Sequence, residues 1–243
     1  MDADAALGKI RKLLAMAEAE GLPEQARESY NDKAADLIAQ YGIDRALLEE
    51  AVPTRAVAGD VVLNIDHPYA RDKITLLAGI AGPLGCRLIH RTHPLLGATA
   101  HTAHLFGMAA DLERTQILYT SLLVQQAHAL ALVRVPPSED ARAFRRSWMA
   151  GFAIAVQDRL TKAEAAARER HRQGPACGRS VELVLADRSA RVDRHVAEVY
   201  PRLRTTRSRN LSGSGGPAGF QAGQRADIGT DNRVAGNPRR KQL

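Results

Sequence analysis

Four histidines crowd one short stretch of the chain, His90-x-x-His93 and His101-x-x-His104, with Cys86 just before them. Imidazole and thiolate are the groups from which zinc sites are built, but such a site needs four ligands converging on one point. The stretch reads as two strands around a turn. On a strand, residues three apart point to opposite faces, so each pair could serve a metal only with one member in the turn. The expectation is therefore no metal site, with His90, His93, His101 and His104 as the ligands if there is one. Cys86 opens an apolar run and reads as a buried, inert thiol, and neither it nor Cys177 has a histidine paired with it locally. The HExxH and GxSxG patterns are absent. The glycines of GFQAGQRADIG lack the GK[ST] of a phosphate loop and suit close helix packing instead. No catalytic residue and no cofactor is predicted.

Cations offer a different chemistry. The run RLRTTRSRN presents Arg202, Arg204, Arg207 and Arg209 among hydroxyl side chains. Guanidinium groups bind phosphate through two parallel hydrogen bonds, and hydroxyls add contacts to phosphate oxygens. A second cluster, Lys9, Arg11 and Lys12, lies on the first helix; a solvated helix face accounts for it as well. The charge is unevenly placed. Residues 1–133 hold 12 basic against 16 acidic side chains, a net of −4, and residues 134–243 hold 22 against 11, a net of +11. Such asymmetry suits a polyanion such as DNA or RNA. The competing reading is arginines that merely solvate helix faces or charge an edge.

The elements that must position these groups follow from periodicity. Hydrophobic residues are 45% of the chain but aromatics only 4%, so the core must be aliphatic and alanine-rich, which favours helices. A helix is expected over Asp4 to Glu20, broken by Gly21 and restarted at Pro23. A second, with its stripe on Tyr30, Ala34, Leu37, Ile38 and Tyr41, is expected to stop at Gly42, with Asp44 capping a short third helix. Two stripes joined so tightly form an antiparallel hairpin. VVLNI reads as a strand after a linker that ends in a turn, and a helix begins near Pro68 with Asp66 as its cap. CRLIHRT and TAHLFG pair as a strand hairpin. A long helix runs from Ala109 to about Val135. Another, capped by Ser138, places Phe144, Trp148, Gly151, Phe152 and Ala155 in the core and sends its polar end, TKAEAAARERHR, into water. VELVLA reads as a short strand, RSARVDRHVAEVYP as a helix, LSGSGG as flexible, and PAGFQAGQRADIG as a short helix.

The fold expected is α+β and predominantly helical, with an N-terminal antiparallel helical hairpin followed by a small sheet packed with long helices. The expected units are residues 1–51 for the hairpin, 52–229 for the α+β region and 230–243 for a disordered basic tail. No stretch suits a signal peptide or a membrane span, and two distant cysteines give no disulfide framework, so a cytoplasmic protein is expected.

KIRKLLAMAE, an acidic residue, an alanine-rich helix and AADLIAQYGID together resemble a bacterial and phage module, the domain-of-unknown-function family 2786. Lys9 to Leu14, Ala17, Glu18, Ala34, Leu37 and Tyr41 to Ile43 carry the resemblance. HLFGMAADLERTQILYTSLLVQQAHAL, SWMAGFAIAVQDRL and GFQAGQRADIG resemble the companion region such proteins carry. The resemblance implies a phage or mobile-element setting and no catalytic residue. The function expected is a non-catalytic, nucleic-acid-associated protein that grips the phosphate backbone through Arg and Lys. The alternatives are a structural or interaction module, with a protein partner at the hairpin, and a hydrolase or metal protein using the histidines. Oligomeric state is left open.

Overall fold

The computed structural model describes residues 12, 37–43, 46, 57–95, 98–172, 180–204 and 209–228. Apart from Lys12, the first helix lies outside them, as do the hairpin turn, Cys177 and the tail. In chain order come β1 (Ala58–Ile65), α1 (Ala70–Ala81), β2 (Arg87–Leu95), β3 (Ala98–Met108), α2 (Ala109–Ala131), α3 (Ala141–Arg172), α4 (Val181–Val199) and α5 (Gly216–Arg225). The architecture is α+β and predominantly helical, built on one small sheet, as the periodicities imply.

The sheet is antiparallel in the order β1-β3-β2, with β3 in the middle. Alternation along β3 sends Ala103 and Leu105 to one face and Phe106 and Met108 to the other. The first face packs on α1 and α2, with α3 laid against α1 behind them, in one core around Leu76, Leu77, Ile80, Leu118 and Phe152. The second face is covered by α4 through Val192 and Val196. Burying side chains of this size is worth roughly 1.5–3 kcal/mol each. The aliphatic face of α1 supplies much of the core because Leu76, Leu77 and Ile80 follow helical spacing.

Several elements differ from expectation, each for a local reason. VELVLA is the first turn and a half of α4, not a strand. Ser180 accepts a hydrogen bond from the Leu183 N–H (3.3 Å) as its cap, and Val184, Arg188, Val192 and Val196 repeat every four residues along the buried stripe. The β-branched run is overridden by that helical stripe. Asp140, not Ser138, caps α3, accepting from the Ala143 N–H (2.7 Å). Tyr69, not Asp66, stands before α1, in a left-handed conformation (φ 62°, ψ 30°) with no side-chain cap. α2 ends at Ala131, and β1 begins at Ala58, inside the segment read as a turn. Residues 37–43 are helical throughout, so Gly42 is not a stop. A Cβ there would overlap the Arg114 guanidinium, so the glycine provides room. The polar end of α3 does not simply project into water, because Glu164 and Ala167 are buried.

The stretch LSGSGG is held in place. The Ser214 N–H and hydroxyl both reach the Glu139 carboxylate, and the Gly215 N–H donates to Ser147 Oγ (3.0 Å). It leads into α5, which lies directly on α3. Trp148 and Phe152 stack with their centroids 5.7 Å apart, and the small residues of α5 pass over their backbone. A Cβ on Gly219 would overlap the Trp148 carbonyl, whereas one on Gly216 would find its nearest neighbour at 3.9 Å. Buried Arg159 then closes the far end by donating to the Gly223 (2.9 Å) and Ala226 carbonyls.

Gly219→Ala is expected to destabilise the fold by roughly 1–3 kcal/mol through overpacking, with Gly216→Ala near neutral. Urea unfolding of the two variants checks this, and equal stabilities would contradict the packing.

On the α4 face, Asp60 accepts from His104 Nε2 (2.7 Å) and His195 Nε2 (2.8 Å), and His104 Nδ1 meets the Tyr200 hydroxyl (2.8 Å). The hydrogen bond from His104, then that from His195, holds the Asp60 carboxyl below its ordinary 3.8. A depressed carboxyl contributes stability that is present above the unfolded value and lost as pH falls through the folded one. The stability advantage of the natural protein over Asp60→Asn is therefore expected to be full near pH 5 and to shrink below about 3.8, as read by urea titrations on both sides of that value.

Candidate functional site

A cleft of about 410 Å³ opens where the N-terminus of α1, the start of α3 and the coil after α4 meet. Its walls carry four arginines: Arg71 on α1, Arg142 and Arg146 on α3, and Arg209 from the coil. They gather around one carboxylate. Asp72, in the first turn of α1, is only 3% exposed. Arg209 Nη1 donates to its Oδ1 (2.8 Å), and Arg146 Nε lies 3.5 Å from its Oδ2. Arg209 Nη2 also donates to Thr75 Oγ1 (2.8 Å) and the Arg71 carbonyl (3.3 Å). A buried ionised carboxylate must be paired, and this pairing folds the coil back onto α1.

Arg71 and Arg142 are exposed, and no carboxylate pairs with either among the described residues. Four guanidinium groups against one carboxylate leave an excess of three positive charges. The uncapped first turn of α1 faces the same space, adding the positive end of a helix dipole. Tyr69 beside it stays in a region that non-glycine residues enter at a cost of order 1–3 kcal/mol, a strain that recurs at functional sites.

Two histidines line the cleft. His67 is exposed, and its Nε2 donates to the Thr99 carbonyl (2.9 Å). His101 is 8% exposed, and its Nδ1 lies 2.9 Å from His90 Nε2. The His90 and His101 rings stack, while His67 meets His101 edge-on with centroids 5.4 Å apart. Burial pushes the imidazoles of His90 and His101 down from their ordinary range, and nearby cationic groups push the same way.

The sequence-selected residues scatter by comparison. Arg209 reaches the cleft; Arg202 and Arg204 are exposed in the coil leading to it, and Arg207 lies outside the described residues. Lys12 is helical and exposed, while Lys9 and Arg11 fall outside. The histidines divide as strand alternation requires: His90 and His101 share one face, His104 is tied to Asp60 on the other, and His93 is exposed. Among the described residues no three His, Cys, Asp or Glu groups could hold a metal ion. Cys86 is buried, its thiol pushed up to about 12 chiefly by desolvation. Arg71, Arg142, Arg146 and His67 were not singled out by sequence. The run His67-Pro-Tyr-Ala-Arg71-Asp72 is a local signal at a helix start, but only the fold sets Arg142 and Arg146 across from it.

A second cavity of about 380 Å³ lies beside Arg114. Its most buried charges pair with one another. Arg114 donates to Asp111 (2.9 Å), Glu164 (3.0 Å) and the Ile38 carbonyl (2.8 Å), and Arg188 donates to Asp111 (2.8 Å).

No helix among the described residues is long and apolar enough to cross a membrane. No curated protein and no solved structure matches the chain. Residues 5–45 match the model of the family described as "Protein of unknown function (DUF2786)", the stretch that includes the helix bonded to Arg114 through Ile38.

Proposed function

We propose that the protein binds nucleic acid by its phosphate backbone, in the cleft between α1, α3 and the coil at Arg209. The observation that carries this reading is the charge of the cleft: its walls hold four arginines and one buried carboxylate, which pairs with Arg146 and Arg209, while Arg71 and Arg142 are exposed without a carboxylate partner among the described residues. Guanidinium groups suit phosphate through bidentate, charge-assisted bonds. Arg202 and Arg204 are exposed in the coil that precedes Arg209 and add cations to this part of the chain. Arginine contacts to phosphate position a backbone and carry little sequence preference.

Fluorescence anisotropy with labelled single-stranded and duplex oligonucleotides across a salt series tests the proposal. The logarithm of affinity is expected to fall linearly with the logarithm of salt concentration, with a slope of about 0.7 per phosphate contact for single strands and about 0.9 for duplex. Arg71→Ala with Arg142→Ala should flatten the slope by one to two such contacts; Arg204→Ala with Arg207→Ala should flatten it only if the coil also touches phosphate. Absence of binding at about 50 mM salt would overturn the reading and favour the interaction-module alternative.

A further inference from the structure

The arginine cleft holds more than is needed to grip a phosphate. We infer that His67 and His101 form an acid–base pair that cleaves single-stranded RNA at a phosphodiester seated on the arginines. This inference rests on the phosphate-binding reading above and adds a reaction to it.

The hydrogen bonds assign the roles. A carbonyl oxygen can only accept, so the bond to Thr99 requires His67 Nε2 to carry a hydrogen and leaves Nδ1 as its free nitrogen. Nδ1 is the atom that can carry an additional proton to a leaving group. His101 meets His90 on its other side, through a bond that either ring can donate. When its Nδ1–H donates to His90 Nε2, the lone pair is on Nε2, and the ring becomes a base. Burial, with His67 and Arg71 as the next contributors, shifts that ring toward its neutral form. The two imidazoles meet edge-on with centroids 5.4 Å apart, and both line the cleft that holds the arginines, beside any phosphate seated there. Arg71, Arg142 and Arg146 can then stabilise the charge that develops on the non-bridging oxygens.

The step balances without a metal or a redox partner. His101 Nε2 takes the proton of a ribose 2′-hydroxyl as the 2′-oxygen bonds to phosphorus. The bond from phosphorus to the 5′-oxygen breaks, and His67 Nδ1 gives that oxygen its proton. The products are a 2′,3′-cyclic phosphate and a 5′-hydroxyl end. The histidines are left with exchanged protonation. Water then attacks the cyclic phosphate with His67 as base; the bond from phosphorus to the 2′-oxygen breaks, His101 returns its proton to that oxygen, and a 3′-phosphate is left with both histidines reset. Positioned acid–base groups typically contribute a factor of about 10²–10⁴.

The test uses the full chain, a 5′-labelled single-stranded RNA and an oligodeoxynucleotide of the same sequence, with a chelator present. Expected is cleavage of the RNA to 2′,3′-cyclic phosphate and 5′-hydroxyl ends, and an intact DNA strand, which lacks the 2′ nucleophile. The single-turnover rate at saturating protein should fall about a hundredfold or more in His67→Ala and in His101→Gln. His67 is exposed, so its replacement leaves the core undisturbed, and glutamine preserves polarity and reach at position 101. RNA that binds in the salt series yet stays intact overturns the cleavage step alone. A protein that binds no oligonucleotide overturns the cleft reading and this inference with it. Cleavage at an undiminished rate by both variants also overturns the assignment.

Discussion

Asp72 is an ionisable group placed where water barely reaches, on the first turn of a helix whose other residues make the core. Left alone, its charge would cost several kcal/mol in so dry a setting. Arg209 and Arg146 offset that cost, and they come from distant parts of the chain, 137 and 74 positions along. The pairing therefore does more than neutralise a carboxylate. It draws the coil after α4 across the start of α1, sets the beginning of α3 opposite, and leaves Arg71 and Arg142 on the rim. The shape and sign of the cleft both follow from this one buried acid.

A second buried acid, Asp111, shows the opposite outcome of the same chemistry. It accepts from Arg114 and Arg188, Glu164 completes the pairing, and the Ile38 carbonyl takes another Arg114 donor. Glu164 is driven up by burial and drawn back by Arg114. Here cations and carboxylates are closely matched, so the cluster works as a joint. It seats helical residues 37–43, part of the family-matched stretch, against α2 and α3, and Gly42 is the residue that leaves room for the guanidinium. The contrast separates arginines spent on the fold, such as Arg114, Arg159 and Arg188, from those available to a ligand. Net charge alone does not make that distinction.

Much of this fold was legible in sequence where a single rule decides. Alternation in β2 and β3 placed the histidines on opposite faces, the Trp148–Phe152 spacing marked a core helix, and small residues four apart marked α5 as a close packer. Sequence reading went astray where two local signals competed. VELVLA is rich in valine and leucine, yet Ser180 and the four-residue stripe make it helix. LSGSGG has the composition of a linker, yet its polar groups are bonded to Glu139 and Ser147. The cleft was the least legible feature. Of its arginines only Arg209 stands out in sequence, because Arg142 and Arg146 read as one polar flank of a core helix and reach Arg71 and Arg209 only through tertiary packing.

The account places phosphate at one position, and the most direct test is to observe where a ligand perturbs the molecule. Amide and arginine side-chain resonances should be followed by heteronuclear NMR during titration with a short single-stranded oligodeoxynucleotide at low salt. The account predicts that shifts concentrate at residues 67–72, 142–146 and 209, and that Asp72→Ala, which unties Arg209, disperses them. Shifts centred elsewhere, or none in these three segments while the oligonucleotide binds, would contradict it.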